Sequence, residues 1–169
     1  MLSKWYIGYK IHLLETKSRM YVDHVIAPAS RADVTVLRDL IDAERLGGLP
    51  DQLYDRIAGR RILADKGYDS DQLRIDFGYE LDVELSVPQR ENRGDWLLYP
   101  FSLNIRRKSI ETTFSQLCDE LRIKLNRAKR YSGLTARVST KLLVRTIKQW
   151  INYQAGRSIR QTKHCFAYL

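Results

Sequence analysis

Cysteine, long apolar runs and, in the second part of the chain, acidic residues are all scarce in this sequence of 169 residues. The two cysteines, Cys118 and Cys165, are too few for a disulfide framework, and with His24 or His164 they form no zinc-ligand spacing, so we interpret both as free thiols. No apolar run approaches the roughly 18 residues of a membrane helix, and no secretory signal is evident. These absences predict a soluble, cytoplasmic, globular protein.

The two parts of the chain carry very different charges. Residues 1–101 contain 14 Lys and Arg against 17 Asp and Glu, whereas residues 102–169 contain 15 against 3, which gives net charges of −3 and +12. Such asymmetry is typical of proteins that bind a polyanion, because each neutralised phosphate releases counterions. A solvated helical surface is the alternative, but the size of the imbalance favours nucleic acid.

The first elements predict a hairpin and a helix. Residues 5–14 and 20–27 alternate with the period of a strand, and the short polar connection between them favours an antiparallel hairpin that ends at Pro28. In the first strand, Tyr9, Ile11 and Leu13 lie on one face, and Lys10 and His12 lie on the other. The helical spacing that follows predicts a helix with Asp33 as its N-cap and an end at Gly47 and Gly48.

The middle of the chain predicts a strand, a helix and a second strand. The apolar run of residues 62–64 ends on Asp65, the next segment predicts a helix capped by Ser70 and stopped at Gly78, and residues 80–88 alternate again. This order indicates a parallel pair of strands joined by a crossover. Residues 89–104 have no periodicity and are predicted to form a loop.

The basic part of the chain predicts two helices. The first begins at Ile105 and has an apolar stripe, and the second runs from about residue 133 to 153; their apolar positions are Ile110, Phe114, Leu117 and Leu121, and then Leu134, Val138, Leu142, Ile147 and Ile151. We therefore expect one domain over residues 1–155 and a loosely ordered tail over residues 156–169.

Two acids are the candidate site residues. Ligand sites form beyond the carboxyl ends of parallel strands, where Asp65 is expected, and Glu111 lies at the edge of the apolar stripe of its helix. Around that helix, the polar stripe of Glu111 continues to Arg107, Ser115, Cys118 and Arg122. We expect the two carboxylates to converge.

Convergence of two acids requires a compensating charge. Two carboxylates about 4 Å apart repel by about 4 kcal/mol at an effective dielectric constant near 20, and a magnesium or manganese ion held by their oxygens would remove that penalty. The alternatives are that Asp65 is a turn residue that caps the next helix, and that Glu111 forms an ion pair with Arg107.

Four segments together carry a family resemblance. These are "YIGYKIHLL", "VIAPASRADVTVLRDLI", "ILADKGYDS" and "RRKSIETTFSQL", which in this order resemble the catalytic domain of DDE transposases from bacterial insertion sequences, from about residue 5 to 150. The resemblance implies an α/β, ribonuclease-H-like mixed sheet flanked by helices, in which three acids bind two divalent ions, Mg²⁺ or Mn²⁺. Asp65 looks like the second acid and Glu111 like the third.

The resemblance also implies a reaction and a partner. The reaction is metal-dependent phosphoryl transfer, which cleaves and joins DNA strands in transposition without a protein nucleophile. Arg107 would contact a DNA phosphate, with Lys66, Lys10 and Arg122 as further DNA-binding candidates. Other partners implied are a second copy or an intact transposase. The alternatives are a non-catalytic DNA-binding remnant or inhibitor of intact transposase, and a structural protein with a basic helical face.

The chain departs from the family pattern at two places. Asn104 and Cys118 stand where one branch of the family has Tyr and Lys. The first catalytic Asp of the family belongs to a strand that precedes the hairpin, and only four residues precede Trp5, while Asp23 and Asp33 are better explained as strand and N-cap residues. We therefore expect an amino-terminally truncated transposase that lacks its first, central strand and is inactive alone.

Overall fold

A computed structural model of the chain describes residues 8–41, 57–88, 101–163 and 165. Internal contacts divide the chain into unit 1, formed by Met1–His12 and His24–Arg107, and unit 2, formed by Leu13–Asp23 and Lys108–Leu169. In the described part the elements are, in chain order, β1 (Tyr9–Glu15), β2 (Tyr21–Pro28), α1 (Asp33–Ile41), β3 (Arg61–Leu63), a 3₁₀ turn (Lys66–Tyr68), α2 (Asp71–Leu81), β4 (Glu84–Ser86), α3 (Phe101–Asp119) and α4 (Tyr131–Gln154).

The predicted antiparallel hairpin is confirmed. Strands β1 and β2 are neighbours in a two-stranded sheet. The Ala29 N–H donates to the Gly8 carbonyl at 2.8 Å, and the Thr16 N–H donates to the Met20 carbonyl at 2.9 Å, so the start of β1 lies beside the end of β2. The open end of the hairpin belongs to unit 1 and its tip belongs to unit 2.

The predicted parallel pair with a crossover is also confirmed. Strands β3 and β4 run parallel, with Ile62 opposite Leu85, and α2 connects them. Ser70 caps α2 as predicted, because its hydroxyl accepts from the Leu73 N–H at 3.3 Å. Gly78 does not stop the helix, which continues to Leu81. The helix ends where Asp82 adopts a left-handed conformation (φ 50°) and the Val83 N–H donates to the Phe77 carbonyl at 2.9 Å.

The α/β class is confirmed, whereas the single mixed sheet stays a prediction. The described strands form two separate two-stranded sheets, β1 with β2 and β3 with β4. The apolar core of unit 1 lies on β2, α1, α2 and β4, where the most buried side chains are Ala27, Val36, Leu37, Leu40, Phe77 and Val83. Asp33 is the first residue of α1 instead of its N-cap, a shift of one position. The expected end of that helix at Gly47 and Gly48 lies outside the described residues.

Both predicted helices of the basic part are present, with corrected bounds. Helix α3 begins at Phe101, so residues 101–104 are helical and do not belong to a loop, and residues 89–100 lie outside the described part. The predicted apolar stripe of α3 includes the fully buried Leu117. In α4, Val138 and Leu142 are buried as expected. Ile147 is 44% exposed, because the buried face of α4 continues through Arg145, Gln149 and Asn152.

The segment after α4, expected to be loosely held, makes specific contacts within unit 2. The Thr162 hydroxyl donates to Glu120 at 2.8 Å, the Asn152 side chain donates to the Gln161 carbonyl at 2.8 Å, and Cys165 is 1% exposed. Among the described residues, no helix has the length and apolarity that crossing a membrane requires.

Candidate functional site

Asp65 directly follows the ladder of β3 and β4. The ladder continues one residue beyond β3, because the Ala64 N–H donates to the Ser86 carbonyl at 3.2 Å. Asp65 then has extended backbone (φ −77°, ψ 164°), and its side chain is exposed and makes no capping hydrogen bond to the 3₁₀ turn. Asp65 therefore occupies the N-cap position of the turn without a side-chain capping bond, and its carboxylate lies at the carboxyl end of a parallel strand.

The turn after Asp65 is attached to β1 by a partly buried hydrogen bond. Tyr68 donates its N–H to the Asp65 carbonyl at 2.9 Å, and its phenol oxygen lies 2.5 Å from His12 Nδ1. Burial raises the pKa of Tyr68, and the charges of Asp33 and Asp65 raise it further, so the phenol keeps its proton at neutral pH.

The other ring nitrogen of His12 is also buried. Nε2 has no hydrogen-bond partner in the part of the chain that the structure describes, and the tautomer of the ring decides whether Nδ1 accepts from the phenol or donates to it. Burial lowers the pKa of His12, an effect that the charge of Asp33 opposes and the charges of Lys10 and Arg31 reinforce. His12 is 5% exposed, so the face of β1 that the sequence assigned as polar contains its most buried side chain.

Asp33 lies close to the same turn. Its Oδ1 accepts from Lys10 Nζ at 2.9 Å, and Lys10 also donates to the Arg31 carbonyl at 3.3 Å. A Cβ on Gly67 would overlap an oxygen of the Asp33 carboxylate, so a larger residue there would require the Asp33 side chain, which Lys10 holds, to shift. Lys10, Asp33 and the His12–Tyr68 pair therefore fix the turn that begins at Asp65.

Glu111 lies on the exposed face of α3 in unit 2. Ser115, one turn further on, is exposed and donates to Asp119 at 3.0 Å, while Cys118 is a half-buried free thiol. Arg122 is not on this helical stripe, because α3 ends at Asp119 and Arg122 has a positive φ of 48° in the following turn. The side chains of Arg107 and Asn104 lie outside the described residues, so the predicted Arg107–Glu111 ion pair stays untested.

A buried polar network lies on the opposite side of α3 from Glu111. Glu15, near the hairpin tip, accepts from Ser109 at 3.0 Å and from Thr113 at 2.7 Å. Arg145 of α4 donates to Thr113 at 3.2 Å and to the Arg19 carbonyl at 2.9 Å. Arg145 is 2% exposed, and burial lowers its pKa while the charge of Glu15 opposes that effect. The network determines which face of α3 is turned outward.

The structure places the predicted site residues in two groups. Lys10, Asp65 and Lys66 belong to unit 1, where Lys66 is exposed, and Glu111 and Arg122 belong to unit 2, where both are exposed. Across residues 8–41, 57–88, 101–163 and 165, no group of three or more His, Cys, Asp or Glu side chains is arranged to hold a metal ion. Convergence of Asp65 with Glu111 stays a prediction.

Sequence reasoning missed the residues that support these groups. His12 was assigned to a polar strand face, and Arg145 stands within the apolar run "LLVRTI". Their partners are distant in sequence, since Tyr68 follows His12 by 56 positions and Arg19 precedes Arg145 by 126. An arginine inside a buried helical stripe was the one local indication available.

Comparisons with known proteins give one match. The sequence model of the family described as "Transposase DDE domain" matches residues 3–147, a range that contains both Asp65 and Glu111. No curated protein and no solved structure matches the chain.

Proposed function

The chain belongs to the transposase DDE domain family, and on that premise we propose that it cleaves and transfers DNA strands in transposition by metal-dependent phosphoryl transfer, with Asp65 and Glu111 as catalytic metal ligands. The observation that carries the proposal is the position of Asp65, an exposed carboxylate directly after a parallel strand that its own turn does not use as a cap. We further propose that the fold is ribonuclease-H-like.

The two acids fit Mg²⁺ or Mn²⁺ by the chemistry of their donors. Both ions prefer carboxylate oxygens, and both side chains are exposed, so no buried charge has to be desolvated for binding. When bound, the ions would lower the pKa of a water and neutralise charge on the oxygens of the phosphate. Asp65 precedes the 3₁₀ turn of unit 1, which the His12–Tyr68 hydrogen bond fixes. Glu111 lies on a helix whose opposite face is fixed by hydrogen bonds.

The reaction needs no nucleophile from the protein. The oxygen of water attacks a DNA phosphorus, the bond from that phosphorus to the 3′ oxygen breaks, and the proton that water loses ends on the released 3′ oxygen. This 3′ hydroxyl then attacks a phosphorus of the target strand, where the bond to the target's own 3′ oxygen breaks and that oxygen takes up the proton. The basic side chains would bind and orient the DNA phosphates. We propose Arg107 for this role, with Lys66, Arg122 and Lys10 as further contacts; Lys10 is already paired with Asp33, so its contribution should be the smallest.

The test compares acid variants for cation-dependent nicking and for DNA retention. We expect Asp65→Asn and Glu111→Gln, made in a complete enzyme that carries all three acids, to abolish nicking in Mg²⁺ or Mn²⁺ and to retain DNA in a gel-shift assay, since each removes a metal ligand without adding bulk. Asp119→Asn is the matched control, because Asp119 is an exposed acid on the same helix and accepts one hydrogen bond from Ser115. Nicking by either acid variant at the rate of the unchanged chain would contradict the assignment.

A second candidate function is binding of DNA without chemistry, as an inhibitor of intact transposase. The observation that favours it is the charge of residues 102–169, which contain 15 basic and 3 acidic residues and would retain DNA whether or not a metal is bound. In this case salt-sensitive DNA retention persists, no nicking occurs with any divalent cation, and adding the chain to an active transposase lowers transposition. Nicking that requires Asp65 would exclude this candidate.

A further inference from the structure

Helix α4 presents an exposed apolar stripe on the face opposite its buried side. Leu143 is 58% exposed, Ile147 44% and Trp150 58%, and these residues are spaced by four and three positions. The same spacing extends to exposed Ala136, Thr140 and Gln154. Apolar residues at alternating three- and four-residue spacing are typical of a helix that packs against another helix.

Helix α2 presents a second stripe of the same kind. Ile75 is 51% exposed and Tyr79 89%, and both lie opposite the buried pair Leu73 and Phe77. Gly78, also exposed, lies beside them, and a Cβ there would meet none of the described residues within 4 Å. Packing among the described residues therefore does not require a glycine, although glycine is a poor helix former. Its lack of a side chain leaves a notch on the exposed face.

The two helices differ in the sign of their charge. On the outer surface, α2 with its C-cap Asp82 offers three acids and one base, whereas α4 offers two bases and no acid; they are Asp71, Glu80, Asp82 and Arg74, and then Arg137 and Lys141. The remaining charged residues of the two helices, Asp76, Arg145 and Lys148, are largely buried in contacts within their own copy. Pairing α4 with a second α4 would bring only like charges together. Pairing α4 with α2 brings opposite charges together and places large side chains such as Trp150 near the notch at Gly78.

We propose that the chain self-associates by docking the α2 stripe of one copy onto the α4 stripe of a second copy. The interface is heterologous, because each copy offers two different surfaces. Exposed Trp and Tyr at its centre match the side chains that contribute most to binding at protein interfaces. Self-association by this route does not depend on the proposed chemistry.

The test measures the mass of the whole chain in solution by sedimentation over a range of concentrations and salt. We expect a concentration-dependent oligomer that high salt weakens. Ile75→Lys on α2 and Ile147→Glu on α4 should each weaken association by about tenfold or more, since each places a like charge in an apolar contact. Both positions are exposed, so circular dichroism and urea unfolding should show that both variants stay folded.

Mixing the two variants identifies the interface. An equimolar mixture of Ile75→Lys and Ile147→Glu should associate again, because α2 of the second variant and α4 of the first are intact. An α4–α4 dimer predicts that Ile75→Lys associates normally and that the mixture does not recover, and this result would overturn the proposal. A chain that stays monomeric at high concentration would also overturn the proposal. In that case the two stripes would be covered by DNA or by segments of the same chain.

Gly78→Gln separates the interface from the fold. Glutamine is the better helix former, so this variant should unfold at equal or higher urea concentration, yet its side chain fills the notch and should weaken association. Gly133→Ala is the control for helix propensity, since its Cβ would meet Ala128 at 3.6 Å and the position lies near the start of α4, well before the large apolar side chains Leu143, Ile147 and Trp150. Unchanged association of Gly78→Gln would remove the notch from the proposal, and unchanged association of all α2 variants would refute it.

Discussion

The two candidate acids are supported in different ways. Asp65 is followed by a turn that is fixed by a partly buried hydrogen bond between His12 and Tyr68, and by the close approach of Gly67 to Asp33. Glu111 stands on a helix whose other face carries a buried network of charged and polar groups. The stability of unit 1 near Asp65 therefore depends on steric fit. The stability of unit 2 near Glu111 depends instead on a set of hydrogen bonds that must all be formed.

Disruption of the buried polar network in unit 2 should cause the largest loss in the free energy of unfolding. Arg145→Met removes the donor to Thr113 and to the Arg19 carbonyl and leaves the charge of Glu15 without its opposing charge, so we expect a loss of about 3 kcal/mol in the free energy of unfolding of unit 2. Urea unfolding measures it. Arg137→Met is the control, because Arg137 is an exposed arginine on the same helix and should change stability by less than about 0.5 kcal/mol. Equal losses for both variants would mean that the network is not a stabilising unit.

Disturbing the close approach of Gly67 to Asp33 in unit 1 should cause a smaller loss in the free energy of unfolding. Gly67→Ala places a methyl group against the Asp33 carboxylate, and we expect a cost of about 1–3 kcal/mol from overpacking. Combining it with Asp33→Ala should relieve much of that cost, so a double-mutant cycle should show a coupling between the two positions. Gly133→Ala should be neutral or stabilising, because its Cβ makes an ordinary contact. Additive losses at positions 67 and 33 would show that the close approach is not tight.

The sequence predicted local features better than distant ones. Alternation and helical spacing located β1, β2, α1, the β3–α2–β4 crossover and both long helices, and Ser70 was a correct cap, because each depends on residues near one another in the chain. Gly78 misled because a glycine does not end a helix unless the chain turns there, and in this chain it turns at Asp82. The family was identified from motifs around Asp65 and Glu111.

The supports of the site could not be predicted in the same way. His12 and Tyr68 lie on different elements, and nothing in either segment specifies the other. The same holds for Arg145, whose partners Thr113 and Arg19 come from α3 and the hairpin tip. Only the fold brings such groups together. The sequence pattern can therefore indicate that a polar group is buried, but it does not indicate which groups form its hydrogen bonds.

The His12–Tyr68 pair should make the stability of unit 1 depend on pH. The pKa of folded His12 is lowered from its ordinary value of 6.5, so the unfolded chain binds more protons below that pH. We expect this contribution to the free energy of unfolding to be fully present above pH 6.5 and to be lost progressively as the pH is lowered below that value. In His12→Gln, which does not titrate, this decline should be missing. An equal pH slope in both proteins would assign the decline to other groups.

The smallest expected difference in stability between the two units comes from two ion pairs, one in each unit. In unit 1, Arg61 and Glu84 lie 2.7 Å apart with side chains 48% and 60% exposed, and in unit 2, Lys148 and Glu120 lie 3.0 Å apart with side chains 12% and 11% exposed. Water and salt screen the first pair, so Glu84→Gln should change the free energy of unfolding by less than about 0.5 kcal/mol. Lys148→Met should cost more, since it leaves Glu120 largely buried with only the Thr162 hydroxyl as donor among the described contacts. If urea unfolding gave Glu84→Gln the larger loss, unit 2 would not be the region that depends on paired charges.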